Sequence, residues 1–142
     1  MTLSKTLQVF LLYARADTDV VRRLHRRLTR DGANVWRDRE KLLPGQDWVY
    51  EIHRAIHNSD VVVVCLSRRF NKQGGYRHEE LHMAVEKANS LSADETYLIP
   101  ARLERCDLPE PLGRWERVDL FETDGYGKLL EALRQQTTAA NR

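Results

Sequence analysis

The sequence predicts an α/β domain: a mostly parallel sheet with helices on both faces. Two observations carry this. Short apolar runs of strand length alternate with segments of helical period along 142 residues, in the order β-α-β-α-β-α-β-loop-β-α. The longest apolar block, VVVVCL at residues 61–66, is apolar at every position. A strand of that kind needs cover on both faces, as a central strand of a parallel sheet has.

Each element follows from its own residues. LQVFLLY, residues 7–13, is short, apolar and rich in strand formers. The polar turn ARAD comes next, with Asp17 or Thr18 as a helix N-cap. In DVVRRLHRRLTRDG, Val20, Val21, Leu24 and Leu28 share one face, arginines take the other, and Gly32 is a stop signal. ANVW is a second strand. LLPGQDW contains a Pro-Gly turn, and Asp47 caps a helix whose stripe is Trp48, Ile52, Ala55 and Ile56. After VVVVCLS comes RRFNKQGG, read as a loop, then a helix from about Tyr76 to Ser90. TYLIPARL is a strand, CDLPEPLG a Pro-rich connection, and RWERVDLF holds a short last strand. DGYGKLLEALRQQ is a final amphipathic helix.

Composition narrows the function classes. The length suits one domain, residues 1–142, with a core from about 7 to 136 and the polar tail TTAANR, whether whole or excised from a longer protein. A net charge of +2 supplies no strong field toward nucleic acid or membrane, and the arginines of RRLHRRLTR read as a solvated helix face. No apolar run reaches the length of a membrane span. The first residues lack the pattern of a signal peptide. Two cysteines make no disulfide framework; Cys65 reads as a small buried hydrophobe, and the cytoplasm is the expected compartment.

HEELH, residues 78–82, matches the H-E-x-x-H pattern of zinc proteases. On a helix, Leu81, Ala84, Val85 and Ala88 define the core stripe, and Glu79 then points about 170° away from it. The general base of a zinc hydrolase would project into solvent, and no histidine follows His82 to complete the ligand set. The histidines, like His53 and His57, read as helix surface, and no metal is expected.

In α/β sheets of this kind ligands bind at the carboxyl ends of the strands, near a switch point in strand order. That places Tyr13 and Arg15 after the first strand, Asp38 after the second and Ser67 after the third. Trp48 follows the Pro-Gly turn, and Tyr76 and Glu80 open the helix after the third strand.

From Gln8 to Arg134 this arrangement resembles the TIR (Toll/interleukin-1 receptor) domain family, specifically its bacterial members. FLLYA stands where the family's first box has F-I-S-Y-S, so a usual serine is Ala14. DREKLLPGQDW is similar to the second box, the BB loop. Tyr76, three residues and Glu80 resemble the motif of the catalytic glutamate in NAD-cleaving members, without a tryptophan that some relatives have there. WERVDLF is a weaker match to the late box.

The resemblance implies a flavodoxin-like three-layer sandwich with a central five-stranded parallel sheet. It also implies an NAD glycohydrolase or ADP-ribosyl cyclase, in a bacterial immune or cell-suicide (antiphage) effector. Glu80 would be the catalytic carboxylate. Tyr76 would stack on a ring of the dinucleotide and Arg15 would pair with its pyrophosphate. Asp38 and Ser67 would meet ribose hydroxyls, Trp48 would flank the nicotinamide side, and Tyr13 would complete the binding end. Each of these also has a plain structural role open to it: cap, turn, packing or solvated surface. NAD is then a substrate and no cofactor is needed, since no G-x-G-x-x-G fingerprint occurs. Either linear ADP-ribose or a cyclic isomer is a compatible product. The BB loop, with Leu42, Leu43, Pro44 and Gly45, would dock on other TIR domains, and a sensor domain, fused or separate, would trigger assembly. The alternative is a non-catalytic adaptor module that signals by self-association.

Overall fold

A computed structural model describes residues 7–37, 42–72, 78–92 and 94–140. Five strands form one sheet: β1 (Gln8–Leu12), β2 (Asn34–Arg37), β3 (Val61–Leu66), β4 (Leu98–Arg102) and β5 (Val118–Asp119). All four pairings are parallel, and the spatial order is β2-β1-β3-β4-β5. The helices are α1 (Thr18–Arg30), α2 (Trp48–Asn58), α3 (Arg68–Asn71), α4 (His78–Ser90) and α5 (Gly125–Ala140).

Strand alternation divides the core into two layers. Val9 and Leu11 of the first strand and Tyr13 just past it, with Val61, Val63 and Cys65 of the third, face Val21, Leu24 and Leu28 of α1 and Leu129 and Leu133 of α5. Phe10, Leu12 and Ala14, with Val62, Val64 and Leu66, face Ile52 and Ile56 of α2 and Leu81, Ala84 and Ala88 of α4. Every residue of β3 is buried, as its unbroken apolar run requires. The result is the flavodoxin-like three-layer sandwich expected.

The helix ends obey local chemistry. α1 stops because Gly32 adopts φ +104°, and the Gly32 and Ala33 amides return to the Thr29 and Leu28 carbonyls. Asp47 caps α2 by accepting from the Val49 and Tyr50 amides at 3.1 and 3.2 Å. Two expectations need correction. The stretch read wholly as a loop after β3 begins with the short helix α3, which the Ser67 hydroxyl caps at the Phe70 amide and the buried Phe70 ring anchors. Trp48 is not part of the core stripe of α2. It opens the helix beyond the sheet and stays 38% exposed, while Ile52 and Ile56 are buried.

α1 and α5 are tied by the Tyr126 hydroxyl, which donates to Asp31 at 2.6 Å, and by the Arg27 guanidinium, 3.7 Å over the Tyr126 ring. At the far edge, Arg102 grips Asp119 through Nε and a terminal nitrogen at 2.7 and 2.8 Å, and Arg117 adds a bond at 3.3 Å. The Arg102 hydrogen bond is the largest influence on the Asp119 carboxyl; burial, the next largest, opposes it, and the positive charges of Arg102 and Arg117 help to hold the group below its ordinary range.

Candidate functional site

Strand order reverses between β1 and β3, because the chain moves from β1 to β2 on one side and to β3 on the other. Their carboxyl ends therefore flank the switch point, where doubly wound sheets open a crevice. A helix that returns between parallel strands begins at that same end, so the first turn of α4 lies on this side of the sheet.

Glu80 lies in that first turn. It is 3% exposed, whereas its neighbour Glu79 is exposed. Adjacent helix positions differ by about 100°, and here the step carries the side chain from solvent to burial. A buried carboxylate costs free energy that a surface glutamate does not, and such groups concentrate where chemistry is done. His82 is exposed and pairs with Glu86 at 3.3 Å, along the helix surface. Among the described residues no group of three or more His, Cys, Asp or Glu side chains is placed to hold a metal.

The other candidates divide. Arg15 opens a short 3-10 turn, Arg15–Asp17, directly after β1, and its side chain is exposed. Ser67 follows β3 directly, is 2% exposed, donates its hydroxyl proton to Asp17 Oδ2 at 2.5 Å and accepts from the Phe70 amide at 3.0 Å. Tyr13 is 7% exposed and packs in the α1–α5 layer, on the opposite face of the sheet from the layer of α4. Asp38 and Tyr76 lie outside the described residues. Trp48 is half-exposed at the head of α2.

The BB-loop candidates form a tight turn. The Gln46 amide donates to the Leu43 carbonyl at 3.1 Å, Pro44 takes the second position and Gly45, at φ +92°, the third. Proline followed by a residue of positive φ is the requirement of a type II turn. The Gln46 side chain also accepts from the Leu43 amide at 2.7 Å. The turn thus holds Leu43 outward at 68% exposure, and Trp48, Val49 and Tyr50 add further exposed apolar surface just after it.

Sequence reasoning missed two contacts at this end. One is the bond from the Ser67 hydroxyl to the Asp17 carboxylate, fifty residues apart. The other is the bond from Arg37 Nε to His25 Nδ1 at 2.7 Å, with Arg37 only 5% exposed just before the BB loop. Neither residue pair carries a local pattern; only the adjacency of β1 to both β2 and β3 brings them together.

Among the described residues, cavities lie elsewhere at three places. One of about 360 Å³ sits at the β4–β5 edge, lined by Leu98, Trp115, Val118 and Leu129 among others. One of about 310 Å³ lies between α2 and α4 beside His53 and His57, and one of about 260 Å³ lies beside Trp36 and Arg54. None contains Glu80. The catalytic candidate stands on the burial of Glu80 and its place at the switch-point end.

Comparison with known proteins agrees with this geometry. A TIR domain family model matches residues 9–133. The uncharacterized protein y4cD of Sinorhizobium fredii (strain NBRC 101917 / NGR234) is 30% identical over 112 residues, which are 78% of this chain and 17% of that protein. Among solved structures, the TIR domain of the Toll-related receptor TRR-2 of Hydra magnipapillata superposes with a TM-score of 0.71 at 23% identity, covering 91% of this chain and 99% of that one. A prokaryotic SEFIR domain gives 0.63 at 20% identity over 91% and 97%. The TIR domains of the activated Roq1 resistosome give 0.61 at 22% identity over 94% and 84%. The family match over nearly the whole sheet, together with the strand order and the Pro-Gly turn, establishes that the chain belongs to the TIR domain family.

Proposed function

We propose that this TIR domain cleaves the bond between nicotinamide and ribose in NAD, with Glu80 as the reacting carboxylate, and that assembly through the BB loop switches it on. The observation that carries the reading is the burial of Glu80, at 3% exposure, in the first turn of α4. Nicotinamide already leaves as a neutral molecule from a cationic pyridinium, so no strong acid is required. A carboxylate near the anomeric carbon stabilises the oxocarbenium-like transition state or attacks it, as in glycoside hydrolysis. Arg15 supplies charge for the pyrophosphate, Trp48 an aromatic face, and Asp38 and Tyr76 further ribose and ring contacts. Either linear or cyclic ADP-ribose is the product.

The exposed Leu43 turn supports assembly. An apolar side chain held at 68% exposure by a structured turn suits a contact with another subunit. The groove of about 360 Å³ at the β4–β5 edge is the surface of a second copy that we assign to it. β5 pairs only with Ala101 and Arg102, and Trp115, Val118 and Leu129 give the groove an apolar floor. Such a head-to-tail contact propagates from copy to copy. The Roq1 TIR domains sit in an activated resistosome that recognises a pathogen effector. We carry over from them an immune or cell-suicide role in the cytoplasm, triggered by a sensor domain, fused or separate. No described helix is long and apolar enough to cross a membrane.

Concentrated protein incubated with NAD is expected to release nicotinamide, to lose that activity on Glu80→Ala, and to keep it in the presence of a chelator. No turnover at any protein concentration would leave the adaptor reading, which the exposed turn and the likeness to a Toll-related receptor favour.

A further inference from the structure

We propose, on the NAD-cleaving reading above, that Asp17 is a positioning residue: with Ser67 it clips the turn that carries Arg15 across the switch point, holding the guanidinium for the diphosphate of the dinucleotide. The turn Arg15–Asp17 is one 3-10 turn long, and Ala14 before it makes no side-chain cap. Its own bonds are the Asp17 amide to the Ala14 carbonyl at 2.8 Å, and the Thr18 amide and hydroxyl to the Arg15 carbonyl, the hydroxyl at 2.5 Å. A single such turn does not hold its shape unaided.

The bonds that hold it come from the end of β3 and from α3. Ser67 donates to Asp17 Oδ2 at 2.5 Å, and the Arg69 guanidinium reaches the Ala16 carbonyl at 3.4 Å. Ser67 is itself fixed, since it is 2% exposed, caps the Phe70 amide and gives its carbonyl to the Asn71 amide at 3.2 Å.

Two features show that the clip is a specific use of these side chains. Asp17 occupies the N-cap position of α1, yet its carboxylate makes no capping bond and is turned to Ser67 instead. A serine hydroxyl has one proton, and that of Ser67 is committed to Asp17, so it has none to donate to a ribose. Its contribution to the site passes through Asp17. The same bond keeps the Asp17 carboxylate from folding onto Arg15, which is exposed and has no carboxylate partner among the described residues. A preorganised guanidinium loses less freedom when it binds a diphosphate.

The experiment compares wild type with Asp17→Ala, Asp17→Asn, Ser67→Ala and Arg15→Ala, each checked for folding by thermal melting. Steady-state nicotinamide release and calorimetric titration with inorganic diphosphate are the two readouts. Asp17→Ala and Ser67→Ala should each raise KM for NAD by about 5- to 10-fold with kcat within about twofold, the pattern of lost binding that is equal in ground and transition states. Asp17→Asn, whose amide oxygen still accepts the Ser67 proton, should stay within about twofold of wild type. In the Arg15→Ala background, Asp17→Ala should add almost nothing, the non-additivity that marks a shared role.

If wild type releases no nicotinamide, the glycohydrolase reading fails, and diphosphate binding that is weaker in Asp17→Ala and Arg15→Ala than in Asp17→Asn still supports the clip. Unchanged KM and unchanged diphosphate affinity in folded Asp17→Ala or Ser67→Ala would overturn it. So would a wild type that neither cleaves NAD nor binds diphosphate. Should Asp17→Ala fail to fold, Ser67→Ala and Asp17→Asn decide.

Discussion

The junction of β5 with α5 and the turn at Leu43 each depend on a glycine, for opposite reasons. At Gly125 a Cβ would lie 2.1 Å from the Asp119 carbonyl oxygen and 2.9 Å from Leu120 Cα, so the helix start and the strand occupy all the space. At Gly45 a Cβ would meet nothing within 4 Å, and glycine is required only by φ +92°. The first region is closed, with Asp119 gripped by Arg102 and Arg117 beside it. The second is open and presents Leu43 to solvent. One holds the domain together; the other is the surface we propose a second copy covers.

Substitutions should separate the two regions by size of effect on stability. Gly125→Ala should cost about 3 kcal/mol or more, because backbone atoms that cannot swing aside must move; chemical denaturation would measure it. Asp119→Asn should cost about 2 kcal/mol through loss of a charge-assisted, partly buried pair. The Asp119 carboxyl is held below its ordinary value by the Arg102 hydrogen bond, so its contribution is complete above the unfolded carboxylate value and fades as pH falls through the lower folded one. Stability curves of wild type and Asp119→Asn should therefore converge in strong acid; parallel curves would remove the pair from the account.

The open region should respond differently. Gly45→Ala should cost about 1 kcal/mol, from backbone strain alone. Leu43→Asp should change stability by less than about 0.5 kcal/mol. It should also abolish the rise in activity per subunit between nanomolar and high micromolar protein. A Leu43→Asp protein that unfolds early, or one that still activates with concentration, would end the contrast.

Much of this was legible in the residues. The unbroken apolar run of β3, the Val21, Leu24 and Leu28 stripe of α1 and the Pro-Gly turn each specify local structure through a strong, short-range pattern, although Val20, read into the same face as that stripe, is 40% exposed. The switch-point end followed from the order of the elements. The short helix α3 was not legible, because four residues have no period and depend on the Ser67 cap and the buried Phe70 ring. Trp48 was assigned to the core because its spacing to Ile52 fits a stripe; the Asp47 cap starts the helix before it reaches the sheet. The helical wheel sent Glu79 outward, as it is, but the depth of Glu80 depends on neighbouring elements and not on its own helix. The place of Ser67 just past a strand end was legible, but its bond to Asp17 was not, because no pattern in either stretch announces that partner.

On the proposed function the buried glutamate, and not its exposed neighbour, carries NAD cleavage. The direct measurement is nicotinamide release by concentrated protein carrying Glu80→Gln or Glu79→Gln, changes that preserve shape and remove one charge each. Glu80→Gln should reduce turnover by about 100-fold or more, and Glu79→Gln should leave it within about twofold. Undiminished release by a folded Glu80→Gln protein would contradict the claim.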